Sequence, residues 1–190
     1  MRVDPENAAS LSGLGNIALE RKDFRKAKRC FSSALNSENH SLFAKVKNQS
    51  LLGLAKAEFE LKRFDKAKKL LSHFQNLEPL QPQSYYLLGR IFEKEKDFER
   101  SATLYKDAIR LGFNSIEPIS RVLKISSHLK EKNAIIKYVI VKYKEFKKGF
   151  IRTKRLSLKK GKKVRGSRKI EKKMVALEKR LEKIKIGYQF

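Results

Sequence analysis

The side chains able to do covalent or metal chemistry are few and scattered. The chain has three histidines, His40, His73 and His128, and one cysteine, Cys30. A metal site needs several donors that converge on one point, and none of these four has another within a helical turn. One cysteine can form no intramolecular disulfide and no Cys-based metal site. Gly13 and Gly15 lie inside a helical pattern with no strand ahead of them, so they make no phosphate-binding loop. The expectation is no catalytic residue, no metal, no cofactor and no enzyme. What the chain offers is charge. Lys and Arg number 46 against 20 Asp and Glu, a net +26 over 190 residues with a pI near 10.2. Such a balance speaks to partners rather than to fold, and it favours acidic ones.

The excess is uneven. Residues 142–190 hold 20 Lys and Arg against 4 Asp and Glu. A phosphate contact needs only positive charge and reach. Arg152, Lys154, Arg155, Lys159, Lys160, Lys162, Lys163 and Arg165 are the candidate polyanion-binding residues on this ground. Phe146, Phe150 and Tyr188 flank the run but nothing aromatic interrupts it, so base stacking has little support. The same run suits an anionic membrane surface, an acidic protein or plain solvation.

The elements that must position these residues repeat. KDFRKAKRCFSSAL from Lys22, KRFDKAKKLLSHFQ from Lys62 and KDFERSATLYKDAI from Lys96 share one frame. Each opens on a charged pair and a phenylalanine: Phe24, Phe64 and Phe98. A small residue follows at Ala27, Ala67 and Ser101, then a large one at Phe31, Leu71 and Tyr105. Upstream stand the pairs Leu14–Gly15, Leu54–Ala55 and Leu88–Gly89. Ala55 to Gly89 and Ala67 to Ser101 are both 34 residues, whereas Gly15 to Ala55 and Ala27 to Ala67 are both 40. The extra six fall near NSENHSLFAKVK. Apolar residues recur at helical spacing, so each unit predicts two antiparallel helices joined by a charged turn. Such a pair cannot bury its apolar face alone and must stack on its neighbours.

This pattern resembles the tetratricopeptide repeat (TPR) family. Three repeats, about 8–39, 48–79 and 82–113, carry it within residues 1–113, with Pro79 as a terminal proline. Leu11, Leu51 and Tyr85 stand where the family has tryptophan, and Ser101 stands for alanine. The resemblance implies an all-α fold, a right-handed α-solenoid of antiparallel helix pairs whose first helices line a concave peptide groove. The residues it places there are Asn16, Gln49, Lys56, Gln83, Tyr86 and Arg90. The carboxylate clamp known in the family is not expected: Asn16 matches one position, but Ser12, Gly53, Gln83 and Leu87 occupy the others. Lys56 and Arg90 imply a preference for an acidic ligand.

Beyond the repeats, residues 114–148 predict a divergent fourth pair, with Ala134 and Tyr138 in the roles of Ser101 and Tyr105. Gly149, Gly161 and Gly166 predict a basic linker over 149–167. An amphipathic helix follows over 168–187, with Ile170, Met174, Leu177, Leu181 and Ile184 as a narrow seam. That seam either docks on the fourth pair as a cap or pairs with a helix of another chain. At the other end, VDPENAASLSGLGN reads as a junction between repeats, so a further repeat is expected upstream. No apolar run reaches a membrane span, no secretory signal opens the sequence, and a cytoplasmic setting is expected. Two functions follow. The first is a scaffold or adaptor that binds a protein in the groove. The alternative is an RNA- or ribosome-associated factor that uses the basic arm.

Overall fold

The charged turns decide where the helices stop. Lys22, Lys62 and Lys96 each adopt a left-handed backbone, with φ of 61°, 61° and 64°. Around each, two amides fold back onto the helix just ended: Lys22 N–H to Leu19 O and Asp23 N–H to Ala18 O, with Phe59 and Glu58, then Glu93 and Phe92, as the acceptors in the next two turns. This is a Schellman closure, with lysine where glycine is usual. The next residue starts the following helix. Asp23 Oδ1 accepts from Lys26 N–H and Asp97 Oδ1 from Arg100 N–H, while Arg63 in the middle repeat gives no side-chain cap. After the third repeat, Gly112 takes the same role at φ 83°.

The resulting helices were traced in a computed structural model that describes residues 8–36, 44–130, 132–159 and 166–186. They are α1 (Ala8–Glu20), α2 (Phe24–Asn36), α3 (Ala44–Glu60), α4 (Phe64–Leu77), α5 (Pro82–Lys94), α6 (Phe98–Arg110), α7 (Glu117–Ile125), α8 (Lys132–Lys159) and α9 (Ser167–Ile186). A 3-10 turn, Ser126–His128, follows α7, and no strand occurs among the described residues. The chain divides into two compact units, 1–91 and 92–190, and the boundary falls within α5. The expected upstream repeat lies outside the described residues.

In the first unit, α1 packs on α2, α2 on α3 and α3 on α4, and α1 also meets α3. The fully buried ring of Phe31 explains how the first three fit. A Cβ built on Gly15 of α1 would lie 2.7 Å from that ring, and one on Gly53 of α3 would lie 2.4 Å from it. The ring therefore occupies the space of two absent side chains. Ala18, Ala27, Leu54 and Ala57 complete the cluster. In the second repeat, the equivalent large residue is the smaller Leu71, and the two glycine positions hold Ala55 and Leu87, all buried.

The second unit adds interhelical polar contacts to its own buried apolar residues. Glu93, on the last turn of α5, accepts from the Tyr105 hydroxyl of α6 at 2.6 Å and from Arg121 Nη1 of α7 at 2.9 Å, with Lys124 Nζ at 3.8 Å. Burial alone would raise its pKa. The hydrogen bonds from Tyr105 and Arg121, with the charges of Arg121 and Lys124, outweigh this and hold the carboxyl below its ordinary value. The same burial and the same carboxylate push the Tyr105 hydroxyl up. At the far end, the Tyr143 hydroxyl lies 3.0 Å from Glu178 Oε1 and 3.3 Å from the Met174 carbonyl, joining α8 to α9.

Three expectations are corrected here. The basic linker over 149–167 does not begin at Gly149, because α8 runs on to Lys159. A helical glycine costs about 1 kcal/mol, but Lys147 and Lys154 bind Glu178 and Glu171 of α9, and Phe146 stacks on Phe150 at 6.5 Å. The two ion pairs to α9 and the ring pair within α8 support the helix through Gly149. Ala134 is exposed and Tyr138 only half-buried; the buried seam of α8 is Ile136, Val139 and Tyr143. Finally, Met174, Leu177 and Leu181 are buried and Ile170 is half-buried, with α9 packed against α7 within this chain. The seam packs within this chain, as the first of the two alternatives has it, and only the pairing alternative is corrected; the side chain of Ile184 lies outside those described.

Gly53→Ala is expected to destabilise the protein by about 1–3 kcal/mol through overpacking. Adding Phe31→Leu, the residue of the second repeat, should recover part of that loss in a chemical-denaturation cycle. Glu93→Gln should cost about 1–3 kcal/mol at neutral pH, because it removes the carboxylate charge that faces Arg121 and Lys124. A depressed carboxyl stabilises fully above its unfolded value, about 4.3, and loses that contribution as pH falls through the lower folded value. The difference in Tm between the wild type and Glu93→Gln should therefore shrink on acidification below pH ~4.

Candidate protein-binding face

The six residues expected in the groove sit on the first helices of the three pairs. Asn16 is exposed on α1. Gln49 is exposed and Lys56 half-buried on α3. Gln83 is exposed on α5, and Tyr86 and Arg90 are half-buried there. The structure ties one of them down. Arg90 Cζ lies over the Phe59 ring, 4.3 Å from its centroid, and its Nη1 is 3.4 Å from Glu60 Oε1. Stacking on a ring and pairing with a carboxylate are the two contacts a guanidinium makes best. Arg90 is therefore already engaged within the molecule, on Phe59 and Glu60.

Lys56 is the opposite case. It lies one helical turn before Glu60, yet that carboxylate goes to Arg90, and Lys56 forms no ion pair among the described residues. Burial lowers its pKa from the usual lysine value. A desolvated ammonium without a counter-charge works against folding. The neighbouring acid, Glu58, offers no relief. It is buried on the opposite side of the helix turn and takes Lys28 Nζ at 3.0 Å and Arg63 at 3.7 Å. Glu60 and Phe59 were not singled out in the sequence, although the four-residue step from Lys56 to Glu60 was there to be read.

A family model of the tetratricopeptide repeat matches residues 12–73 and 52–112, together more than half of the chain. The chain belongs to that family. A Dictyostelium discoideum relative, Protein STIP1 homolog, is 33% identical over 101 residues, 52% of this chain. The match covers 18% of that relative, so the chain spans less than a fifth of its length. Among solved structures, MamA from Desulfovibrio magneticus RS-1 superposes with a TM-score of 0.60 at 15% identity, over 76% of this chain and 77% of that one. The first TPR domain of human RPAP3 gives 0.56 at 21% identity, over 68% and 98%. Pseudomonas aeruginosa PilF gives 0.59 at 16% identity, over 77% and 68%. At these identities the likeness is one of fold, the all-α solenoid of helix pairs.

Within this TPR frame, the residues at the clamp positions can be located. Ser12, Gly53 and Leu87, which stand at three clamp positions, are all buried in this chain. The residues with potential chemistry are dispersed. Cys30 is a free, half-buried thiol on α2, His73 is exposed on α4 and His128 stacks on Phe98 at 4.5 Å. His40 lies outside the described residues. No group of three metal-binding side chains occurs among those described, and no helix is long and apolar enough to cross a membrane.

Of the expected polyanion residues, Arg152, Arg155 and Lys159 are exposed on α8. Lys154 instead pairs with Glu171. Lys160, Lys162, Lys163 and Arg165 lie outside the described residues.

Lys56→Met should raise the Tm at pH 7, because it removes a desolvated charge and keeps the aliphatic stem. The sign follows from the lowered pKa: charging Lys56 costs more in the folded state, and the cost falls as pH rises through the folded value and is gone above the unfolded one, about 10.4. Carbon-detected NMR titration of the lysine side chains should show Lys56 titrating below the rest.

Proposed function

We propose that this TPR chain is a non-enzymatic adaptor that holds an acidic segment of a partner protein on the face formed by α1, α3 and α5. The TPR family membership supports a protein-interaction scaffold. The single observation that supports an acidic ligand is Lys56, half-buried and without a carboxylate, on the first helix of the middle repeat. A ligand carboxylate would supply the missing counter-charge and recover the desolvation already incurred. Such a contact discriminates by charge, since an uncharged isostere leaves the ammonium as it was. Asn16, Gln49, Gln83 and Tyr86 are the polar neighbours proposed to contact the ligand backbone, and Arg90 the residue that steadies Glu60. The proposal sets the chain in the cytoplasm, where Cys30 stays a thiol.

The test compares a short fluorescein-labelled peptide rich in Glu with its Gln counterpart by anisotropy. The acidic peptide should bind more tightly, and Lys56→Met should weaken it about tenfold, or ~1.4 kcal/mol, while leaving the Gln peptide unaffected. Equal affinity for the two peptides, or an unchanged affinity in Lys56→Glu, would contradict the proposal.

A further inference from the structure

The basic groups of α8 fall into two sets. Lys142, Lys147 and Lys154 are tied to Glu145, Glu178 and Glu171. Lys144, Lys148, Arg152, Arg155 and Lys159 are all exposed and form no ion pair among the described residues. At about 100° per residue, these five fall within an arc of about 80° and run about 22 Å along the axis. The arc lies opposite the buried seam of Ile136, Val139 and Tyr143. It is therefore an outward ridge of cations on a helix whose other face is locked to the second unit. An open trough of about 640 Å³ follows this ridge, with Ile151 and Leu156 on its walls.

We infer that the outward ridge of α8 is a docking surface for the phosphate backbone of a nucleic acid duplex. The arrangement of charged and apolar groups selects this ligand over the other polyanions. A helix that lies in a membrane surface puts apolar residues at the centre of its buried face and bases at the margins. Here the order is inverted. The cations hold the centre, two exposed aliphatics, Ile151 and Leu156, lie about 140° apart at its edges, and the third, Val141, lies on the same side but beyond the end of the row, before Lys144. A protein interface needs an apolar or aromatic anchor at its core, and the ridge has none. Single strands are held largely by base stacking, yet Phe146 and Phe150 are half-buried and line a different cleft, beside α9. What remains is a straight, rigid row of point charges, suited to a rigid polyanion with one charge per ~1.7 Å of axis. Recognition is independent of base sequence, because charge and reach are all the ridge supplies.

This surface differs from a flexible arm. It begins at Lys144 and Lys148, upstream of the run that the sequence pointed to, and helix geometry fixes its spacing. It does not depend on the groove, so the Lys56 variants should leave it untouched.

The experiment uses the full chain and two labelled probes, a DNA duplex and an RNA duplex of one sequence, titrated from ~50 to ~200 mM salt. Five phosphate contacts predict a log–log salt slope near −4.5 for duplex DNA, which is roughly a 500-fold loss of affinity over that range. Replacing Lys144, Lys148, Arg152, Arg155 and Lys159 by Gln should remove most of the slope and more than about tenfold of the affinity at low salt. A control that replaces Arg25, Lys26, Arg29, Lys66 and Lys69 by Gln removes the same charge from the first unit and should keep both. Lys144→Arg with Lys148→Arg and Lys159→Arg should also keep both, which separates charge from folding; circular dichroism monitors helix content throughout. Either duplex satisfies the proposal, and the tighter one names the source. The inference is overturned if neither duplex binds at ~50 mM salt. Equal losses in the ridge and control variants also overturn it, as does a preference for phosphatidylserine vesicles or an acidic peptide over both duplexes.

Discussion

The first unit depends on one exchange of volume. Phe31 fills a space that only two glycines leave open, Gly15 on its own pair's first helix and Gly53 on the next pair's first helix. The ring touches both, so it sets the distance from α2 to α1 and from α2 to α3 together. Interiors are packed too densely to absorb an extra methyl group without displacement. The second repeat meets the same requirement with different parts, a smaller Leu71 and larger partners at Ala55 and Leu87. Neither set of three would serve in the other's place. The proposed binding face inherits its geometry from this packing, because Asn16 rides on α1 and Lys56 on α3.

The second unit solves a different problem, that of holding helices that carry a large positive charge. It places several of its acids against bases or hydroxyls of neighbouring helices. Glu93 gathers Tyr105, Arg121 and Lys124; Glu178 takes Lys147 and lies beside Tyr143; Glu171 takes Lys154 and Glu117 takes Lys173. Arg121 stands at the repeat position of Gly53 and Leu87, so a position filled by packing in two repeats is filled by charge in the next. Since residues 142–190 hold only 4 acids against 20 bases, internal pairing cannot reach most of the cations. Lys144, Lys148, Arg152, Arg155 and Lys159 are the remainder that α8 turns outward. The unpaired Lys56 of the first unit is a single-residue version of the same excess.

The fold was legible because its signals are local and repeated. The charged turn around Lys22, Lys62 and Lys96 encodes both the end of one helix and the start of the next. The small residues at Ala27, Ala67 and Ser101 mark close approach, and all three are buried. The proposed binding face was half legible. Lys56 could be placed on the first helix of its pair, but its lack of a partner depends on Glu60 being taken by Arg90 from the neighbouring helix. Arg90 had looked equally open, because nothing in its own helix shows that Phe59 and Glu60 lie beneath it. The fourth pair was misread in register: Ala134 resembled a close-approach residue, yet Ile136 and Val139 turn inward.

The sequence by itself determined the repeat frame, the helix pairs and their turns, and the sign and uneven spread of the chain's own charge. These follow from periodicity, backbone preference and composition, each read within a few residues. Tertiary structure alone decided that α8 passes through Gly149, that the seam of α9 is buried within its own chain, and which cations stay unpaired. Each of these outcomes is a competition between distant groups. A glycine weakens a helix unless another helix supports it, and a lysine is free only when every nearby acid has a better partner. Local sequence states the preferences, and only the folded chain shows which of them prevailed.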